Sequence, residues 1–228
     1  MINLYLDLDD TTFDFSRDFV KFANERYGKE KYVIPDKPEE YSAPAVFGMT
    51  QEELRAILVH YVEQFKFATQ PLLPGVKDAF DQLIDGQDIG DTHFITVRNP
   101  ESFLQTLARL QDFFYNDLGN HFPGLCYSLH MANSSHHKKW QIINTLHDSG
   151  RLEGGVFIDD APDYINDVAK HCPGIVTIWM NTLSIQNGAY PHYEVNSWEE
   201  VMELLERYPD FKDLVANSKH PGTQLEIK

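Results

Sequence analysis

Residues 4–15 read LYLDLDDTTFDF, an apolar run that ends abruptly in three acids, Asp7, Asp9 and Asp10. The apolar residues Ile2–Leu6 have the length and make-up of a buried strand. Residues two apart in an extended segment share a side, so Asp7 and Asp9 are expected to face one way, Leu8 the other, and Asp10 elsewhere. Like charges this close repel strongly beside low-dielectric walls, and a bound cation is the obvious counterweight.

Working outward, four further runs read as strands: residues 93–97 (HFITV), 125–129 (LCYSL), 156–158 (VFI) and 175–179 (IVTIW), rich in β-branched and aromatic residues. Helical patterns lie between them, such as the one opened by Asn99-Pro100 with Phe103, Leu104, Leu107 and Leu110 on one face. Continuously apolar strands alternating with helices imply an α/β fold. The expected form is a doubly wound, Rossmann-like parallel sheet of about five strands, with ligands bound beyond the strand C-termini.

Roughly eighty residues separate the first two strands, far more than an ordinary strand-to-helix connection needs. The spacing predicts a helix over 16–27, with Phe15, Phe19, Phe22, Ala23 and Tyr27 on one stripe and Gly28 as its stop. A second helix follows the capping box Thr50-Gln51-Glu52-Glu53, with Leu54, Ile57, Leu58, Tyr61 and Phe65 at helical spacing. A proline-rich link over 35–44, and Pro71 with Pro74-Gly75, bracket this unit. The predicted division is an α/β core over 1–14 and 72–208, a small helical cap over 15–71, and a polar C-terminal tail over 209–228.

The chain has 228 residues, 42% of them hydrophobic, enough for one core. A formal net charge of -16 argues against a broad nucleic-acid surface, because that affinity comes from Lys and Arg neutralising phosphates. Cys126 and Cys172 are too few for a disulfide framework and read as reduced core residues. The opening MINLYLDLDD lacks a basic start and a cleavage site, and no apolar run is long enough to span a bilayer. The expectation is a cytoplasmic protein with no membrane partner.

The other strand ends also carry polar groups suited to a phosphate or a metal. Thr96 lies near the end of HFITV, Asp159-Asp160 follow VFI, and Lys138-Lys139 come just before IINTL. Asp, Thr, Lys and Asp-Asp in that order resemble the four motifs of the haloacid dehalogenase superfamily, over most of the chain from Leu4 to about Tyr208. The resemblance implies a Mg²⁺-dependent phosphomonoester hydrolase acting through an aspartyl-phosphate, with Asp7 as nucleophile and Asp9 as general acid/base. It also implies Thr96 and a lysine as phosphate-binding groups. Lys139 is preferred to Lys138 because Ile142, Ile143 and Leu146 then fall on one helical face. The implied metal ligands are Asp7, Asp160 and the backbone carbonyl of Asp9, with Asp159 or Asp163 in support.

The cap order and FIDDAPD are similar to the 5'(3')-deoxyribonucleotidase family, which implies a nucleoside (deoxy)monophosphate as the small-molecule partner. Val97-Arg98-Asn99-Pro100 departs from that family's small continuation after the threonine and adds Arg98 as a phosphate-binding candidate. Phe13, Phe15, Phe19 and Phe47 either form an aromatic wall for a base, with Phe15 and Phe19 as substrate contacts, or make up the core of the cap. The alternatives are a polynucleotide 3'-phosphatase, a sugar-phosphate phosphatase, or a non-catalytic binding module on the same fold. His121, His130, His136 and His137 lack tight ligand spacing and read as loop histidines rather than a zinc site. Trp140, Trp179 and Trp198 read as core or half-buried anchors.

Overall fold

The computed structural model describes residues 2–28, 31–35, 42–85, 89–119, 127–132, 138–148, 155–185, 189, 191–208 and 211–216. Six strands, β1 (Ile2–Leu6), β2 (Ile89–Thr96), β3 (Tyr127–Met131), β4 (Gly155–Asp159), β5 (Ile175–Met180) and β6 (Tyr193–Val195), form one parallel sheet. Its order is β3-β2-β1-β4-β5-β6. The chain winds outward in both directions from β1, and such sheets bind ligands where the order reverses. Here that is the crevice between β1 and β4.

Nine α-helices are described: α1 (Phe15–Tyr27), α2 (Ala43–Phe47), α3 (Gln51–Glu63), α4 (Val76–Asp85), α5 (Phe103–Asp112), α6 (Lys139–Asp148), α7 (Pro162–His171), α8 (Trp198–Arg207) and α9 (Phe211–Ala216). Every residue of β4 and β5 is buried, as expected of strands covered on both faces. Alternation along the strands divides the interior in two. Leu4, Leu6, Phe94, Val156 and Ile158 pack with Phe80 of α4 and Trp198 and Val201 of α8. Tyr5, Ile95, Phe157 and Ile175 pack with Ile143 of α6 and Ile165 and Val168 of α7.

The inserted segment has a third cluster of its own, with Phe19, Phe22 and Ala23 of α1, Val46 and Phe47 of α2, Ile57 and Tyr61 of α3, and Phe67. Its helix α3 is started by the expected capping box, with Glu53 N–H donating to Thr50 Oγ1 at 3.2 Å and Thr50 N–H to Glu53 Oε2 at 3.0 Å. The ends of the insert are stitched together: Asp14 N–H donates to Pro71 O at 3.0 Å and Leu73 N–H to Thr12 O at 3.0 Å. At the return, Gly75 has φ +83°, and a Cβ there would lie 2.7 Å from the Glu199 carboxylate. The positive φ selects glycine, whereas the exposed Glu199 side chain could swing aside from a Cβ.

Several expectations are corrected. The sheet has a sixth strand, β6, only three residues long. Strand β2 begins earlier than the expected 93–97 and ends at Thr96; β3 covers 127–131, and residues 125–126, with Cys126, lie outside the described residues. Pro100 opens a 3₁₀ turn (Pro100–Ser102) before α5, and α5 presents a different face from the one expected. Leu104 is 74% exposed, whereas Gln105, Thr106, Arg109 and Leu110 are buried. Gln105 Nε2 donates to Val62 O at 2.8 Å and Arg109 Nε to Gln70 O at 2.7 Å, while Gln105 Oε1 makes no hydrogen bond. Helix α3 ends at Glu63, so Phe65 leaves the apolar stripe, adopts φ 55° and is 66% exposed. The tail is not wholly polar and loose, since Leu214 of α9 is buried in the core. Residues 217–228 lie outside the described residues.

Trp198 and Trp179 are buried anchors, donating from Nε1 to Thr11 O at 2.7 Å and Asp160 O at 2.9 Å. Trp140 is half-buried and stacks on His171. Cys172 is a buried free thiol, pushed up to about 12 by burial. No helix among the described residues is long and apolar enough to cross a membrane.

Candidate active site

The register carries the first acids to the β1/β4 crevice. Leu6 pairs with Ile158, Asp7 N–H donates to Ile158 O at 3.0 Å, and Asp7 thus lies level with Asp159 at the end of β4. Beyond Asp7 the chain makes a tight loop in which Thr12 and Phe13 N–H both donate to Leu8 O, at 3.0 and 2.8 Å, and Thr12 Oγ1 to Asp7 O at 2.7 Å. Asp10 takes a left-handed φ of 53°. It is buried and accepts from Ser16 N–H at 2.8 Å and from Ser16 Oγ, fastening the first turn of α1. Asp14, which immediately precedes α1, makes no side-chain cap bond, so Asp10 takes that part.

Lys139 opens α6 and brings its ammonium to the same point, donating to Asp7 Oδ1 and to Asp159 Oδ2, the latter at 2.6 Å. Lysine and both acids are buried. Lys138 is exposed and pairs with Asp167 at 3.1 Å. Asp159 Oδ1 accepts from Ala161 N–H at 2.9 Å. Tyr164 of α7 places its ring 4.5 Å from Lys139 Nζ; its aromatic face does not stand out in the sequence because it lies four residues past the acid pair on a helix of mixed polarity.

Asp7, Asp159 and Asp160 offer oxygens all within 4.8 Å of one another, and they are the one such group of acids, histidines or cysteines found among the described residues. Asp163, by contrast, is exposed in the first turn of α7. Burial pushes the Asp7 carboxyl up to about 7 against the pull of Lys139, with Asp159 and Asp9 adding to the push. Burial also raises Asp159 despite Lys139. For Lys139 burial works against the charge, but Asp159 and Asp7 outweigh it and hold the ammonium above the usual lysine range. The lysine therefore stays charged, while Asp7 and Asp159 are disposed to hold a proton unless further positive charge reaches them. Three buried carboxyl groups with oxygens this close, two of them on one ammonium, are a hard-oxygen donor set that fits a small divalent cation.

Thr96 ends β2, lines the same cavity and is buried, and its Oγ1 makes no hydrogen bond within the structure. A buried hydroxyl in that position fits a ligand oxygen. Asp9 also lines the cavity and is partly exposed, whereas Arg98 does not line it. Arg98 was expected on the phosphate side; the structure places its guanidinium against Asp9 instead, with Nε 3.0 Å from Oδ2 and NH2 2.6 Å from Oδ1. The two phenylalanines also part company. Phe15 lines the cavity with Val46, Phe47, Val97, Tyr164 and Leu183, while Phe19 does not reach it and is fully buried in the core of the insert. His130 bonds Ser128 Oγ at 2.6 Å beside His93; His121, His136 and His137 lie outside the described residues.

No family model matches the chain, and no curated protein matches its sequence. Solved structures match its fold over almost their whole length. L-2-haloacid dehalogenase from Xanthobacter autotrophicus with chloropropionic acid covalently bound superposes with a TM-score of 0.57 at 10% identity, covering 91% of this chain and 100% of that one. CbbY from Rhodobacter sphaeroides in complex with xylulose-(1,5)bisphosphate gives 0.54 at 13% identity, covering 88% and 96%. A haloacid dehalogenase-like family hydrolase from Streptococcus pneumoniae gives 0.53 at 14% identity, covering 89% and 97%. The chain has the fold of the haloacid dehalogenase-like hydrolases.

Proposed function

We propose that this protein is a Mg²⁺-dependent phosphomonoester hydrolase in which Asp7 is the nucleophile and Asp9 the general acid/base. The observation that carries the reading is the floor of the cavity, where the Lys139 ammonium bridges Asp7 and Asp159 beside the unpartnered Thr96 hydroxyl. Lys139 and Thr96 would hold the phosphoryl oxygens. Asp7, Asp160 and the Asp9 carbonyl would hold Mg²⁺, with Asp159 in support because Lys139 and Ala161 N–H already engage both of its oxygens. When bound, Mg²⁺ would add positive charge among these acids and Lewis-acid stabilisation of the phosphoryl oxygens.

Asp7 attacks phosphorus, and the ester P–O bond breaks as Asp9 protonates the leaving oxygen. Asp9 then takes a proton from water as the water attacks phosphorus, and the bond to Asp7 breaks to release phosphate. A carbon–halogen substrate, such as the covalently bound chloropropionic acid of the Xanthobacter structure would reflect, loses halide and needs no proton donor. A second carboxylate lining the cavity two residues beyond Asp7 therefore favours an oxygen leaving group.

For the leaving group we favour a nucleoside (deoxy)monophosphate over a sugar phosphate. The insert contributes Phe15 and Phe47 to the wall, and Tyr164 adds an aromatic face from the core. The acidic chain disfavours a polynucleotide end. Phosphate release from a panel of nucleotides, sugar phosphates and 4-nitrophenyl phosphate, with Mg²⁺ and with EDTA, tests both levels. Turnover that requires Mg²⁺ and is fastest on nucleotides supports the reading. No turnover on any ester overturns the phosphatase assignment, and a preference for sugar phosphates overturns the nucleotide assignment alone.

A further inference from the structure

Arg98 occupies an unusual place. Its side chain is 1% exposed, whereas its partner Asp9 is 27% exposed and borders the cavity. Around the guanidinium, Nε donates to both Asp9 oxygens at 3.2 and 3.0 Å, and NH2 donates to Asp9 Oδ1 at 2.6 Å and to Gln70 Oε1. NH1 donates to Thr106 Oγ1 at 3.1 Å, and the guanidinium carbon lies 4.4 Å from the centre of the Phe67 ring. The chain of bonds continues into the insert. Gln70 Nε2 donates to Tyr61 Oη at 3.3 Å, and Tyr61 Oη donates to Asp18 Oδ2 at 2.6 Å. Gln70, Tyr61 and Phe67 are all buried. Gln70 stands immediately before Pro71, where the insert returns to the core.

A planar fork gripping a carboxylate on two sides fixes the plane of that carboxylate as well as its position, which a lysine in its place would not do. Gln70 and Thr106 hold the fork itself. The geometry points to Arg98 as a positioning residue that sets the orientation of the Asp9 carboxylate, with Gln70 linking that orientation to the seating of the insert. The inference rests on the phosphatase reading and adds to it, because Arg98 does not line the cavity and acts only through Asp9. The insert then does more than wall the cavity: its return junction helps aim the proton donor.

Leaving-group dependence separates positioning from simple structural support. Protonation by Asp9 matters for an alkoxide leaving group and hardly at all for 2,4-dinitrophenolate. The readout is kcat/KM with Mg²⁺, which reports the steps up to cleavage of the ester, on a nucleoside 5'-phosphate and on 2,4-dinitrophenyl phosphate. In Arg98→Met the nucleotide should lose on the order of 10²-fold, and the dinitrophenyl ester less than about threefold. Arg98→Lys should recover only part of the nucleotide loss. Adding Arg98→Met to Asp9→Asn should cost nothing further, because the residue it acts through is already gone.

Gln70→Leu should give the same split at smaller amplitude, and it carries the test if Arg98→Met does not fold. A readout independent of turnover is the Arg98 Nε–H resonance, which should shift on Asp9→Asn and on Gln70→Leu. Equal losses on both esters, or additive losses in the double variant, overturn the positioning role while leaving the phosphatase reading intact. A wild-type protein inactive on both esters overturns the phosphatase reading itself.

Discussion

Two buried cations meet carboxylates at the strand ends, and they do so in opposite ways. Lys139 lines the cavity and divides one ammonium between Asp7 and Asp159. Arg98 lies behind the cavity, spends its fork on Asp9 alone and is itself held by Gln70 and Thr106. A compact ammonium with three donors can exchange a carboxylate oxygen for a phosphoryl oxygen without losing its seat, and a guanidinium fork held at every corner cannot. The contrast teaches that charge near a site has two uses: one cation is placed to meet the ligand, the other to hold still a group that does.

The largest effect should come from Asp7, the acid that the lysine prepares. Asp7→Asn should retain the fold and lose turnover to below about one per cent of wild type, since an amide cannot form the phosphoryl ester. Turnover above that level removes Asp7 as nucleophile and with it the meaning of the Lys139 cluster. Next, Lys139→Arg should fail to restore what Lys139→Met loses, on the order of 10²-fold in kcat, because a fork does not fit a position that must share between two acids and a ligand. Restoration by arginine would make the two cations interchangeable and break the contrast.

Metal affinity sharpens it on the anionic side. Asp160→Ala should weaken Mg²⁺ binding at least about tenfold, and Asp163→Ala, at an exposed helix start, should change it less than about twofold. Calorimetric titration with Mg²⁺ reads both, and the reverse order would move the ligand role to Asp163. Without metal, the surplus of buried acids should also appear in stability. Asp7 and Asp10 are both pushed up to about 7, chiefly by burial, so the folded state holds their protons more tightly than the unfolded chain does. Stability should then fall as pH rises from about 4 to about 7 and level off above that. Urea midpoints measured in EDTA across this window should decline, and saturating Mg²⁺ should flatten the decline. A midpoint that climbs across it would show that the acids are already neutralised.

The smallest effects should separate Phe15 from Phe19. Phe19→Ala should cost about 3 kcal/mol of stability and leave the order of substrates unchanged, because the ring is fully buried in the insert. Phe15→Ala should alter the ratio of nucleotide to 4-nitrophenyl phosphate kcat/KM by several-fold at a smaller cost in stability. Identical behaviour of the two variants would remove Phe15 from the cavity wall.

Much of this arrangement was legible in the sequence, because strands covered on both faces are written as continuous apolar runs. β1, β4 and β5 read that way, and the acids that follow them stand out by contrast. β6 escaped because three residues, with Glu194 pointing outward, carry too little pattern to register. Helix α5 turns inward a face other than the one its hydrophobic residues mark, because burial there is decided by polar partners rather than by hydrophobicity. Its inner side is Gln105, Thr106 and Arg109, buried against partners such as Val62 O and Gln70 O that lie some forty residues earlier in the chain.

The same limit applies to the site. Asp7, Thr96, Lys139, Asp159 and Asp160 each sit at a strand or helix end, and local pattern brings them together. Arg98 was noticed as a charge near the threonine, but its meeting with Asp9 and Gln70 depends on long-range packing. Asp10 was hidden by Asp14, which occupies the position where a cap would ordinarily be sought.

The stitching of residues 12–14 to residues 71–73 has a consequence for how such a protein can change. Because the two ends of the insert are bonded to each other, the core meets it as a closed loop, and the entropy of closing a loop grows only with the logarithm of its length. Segments of the insert away from residues 62–70, which hold Gln105, Arg98 and Arg109 of the core, can be lengthened or shortened without pulling on β1, whose register keeps Asp7 level with Asp159. That part of the segment is thus a natural site for variation: changes there would leave the strand ends and the Gln70 junction where they are, and new specificity could be acquired without rebuilding the sheet.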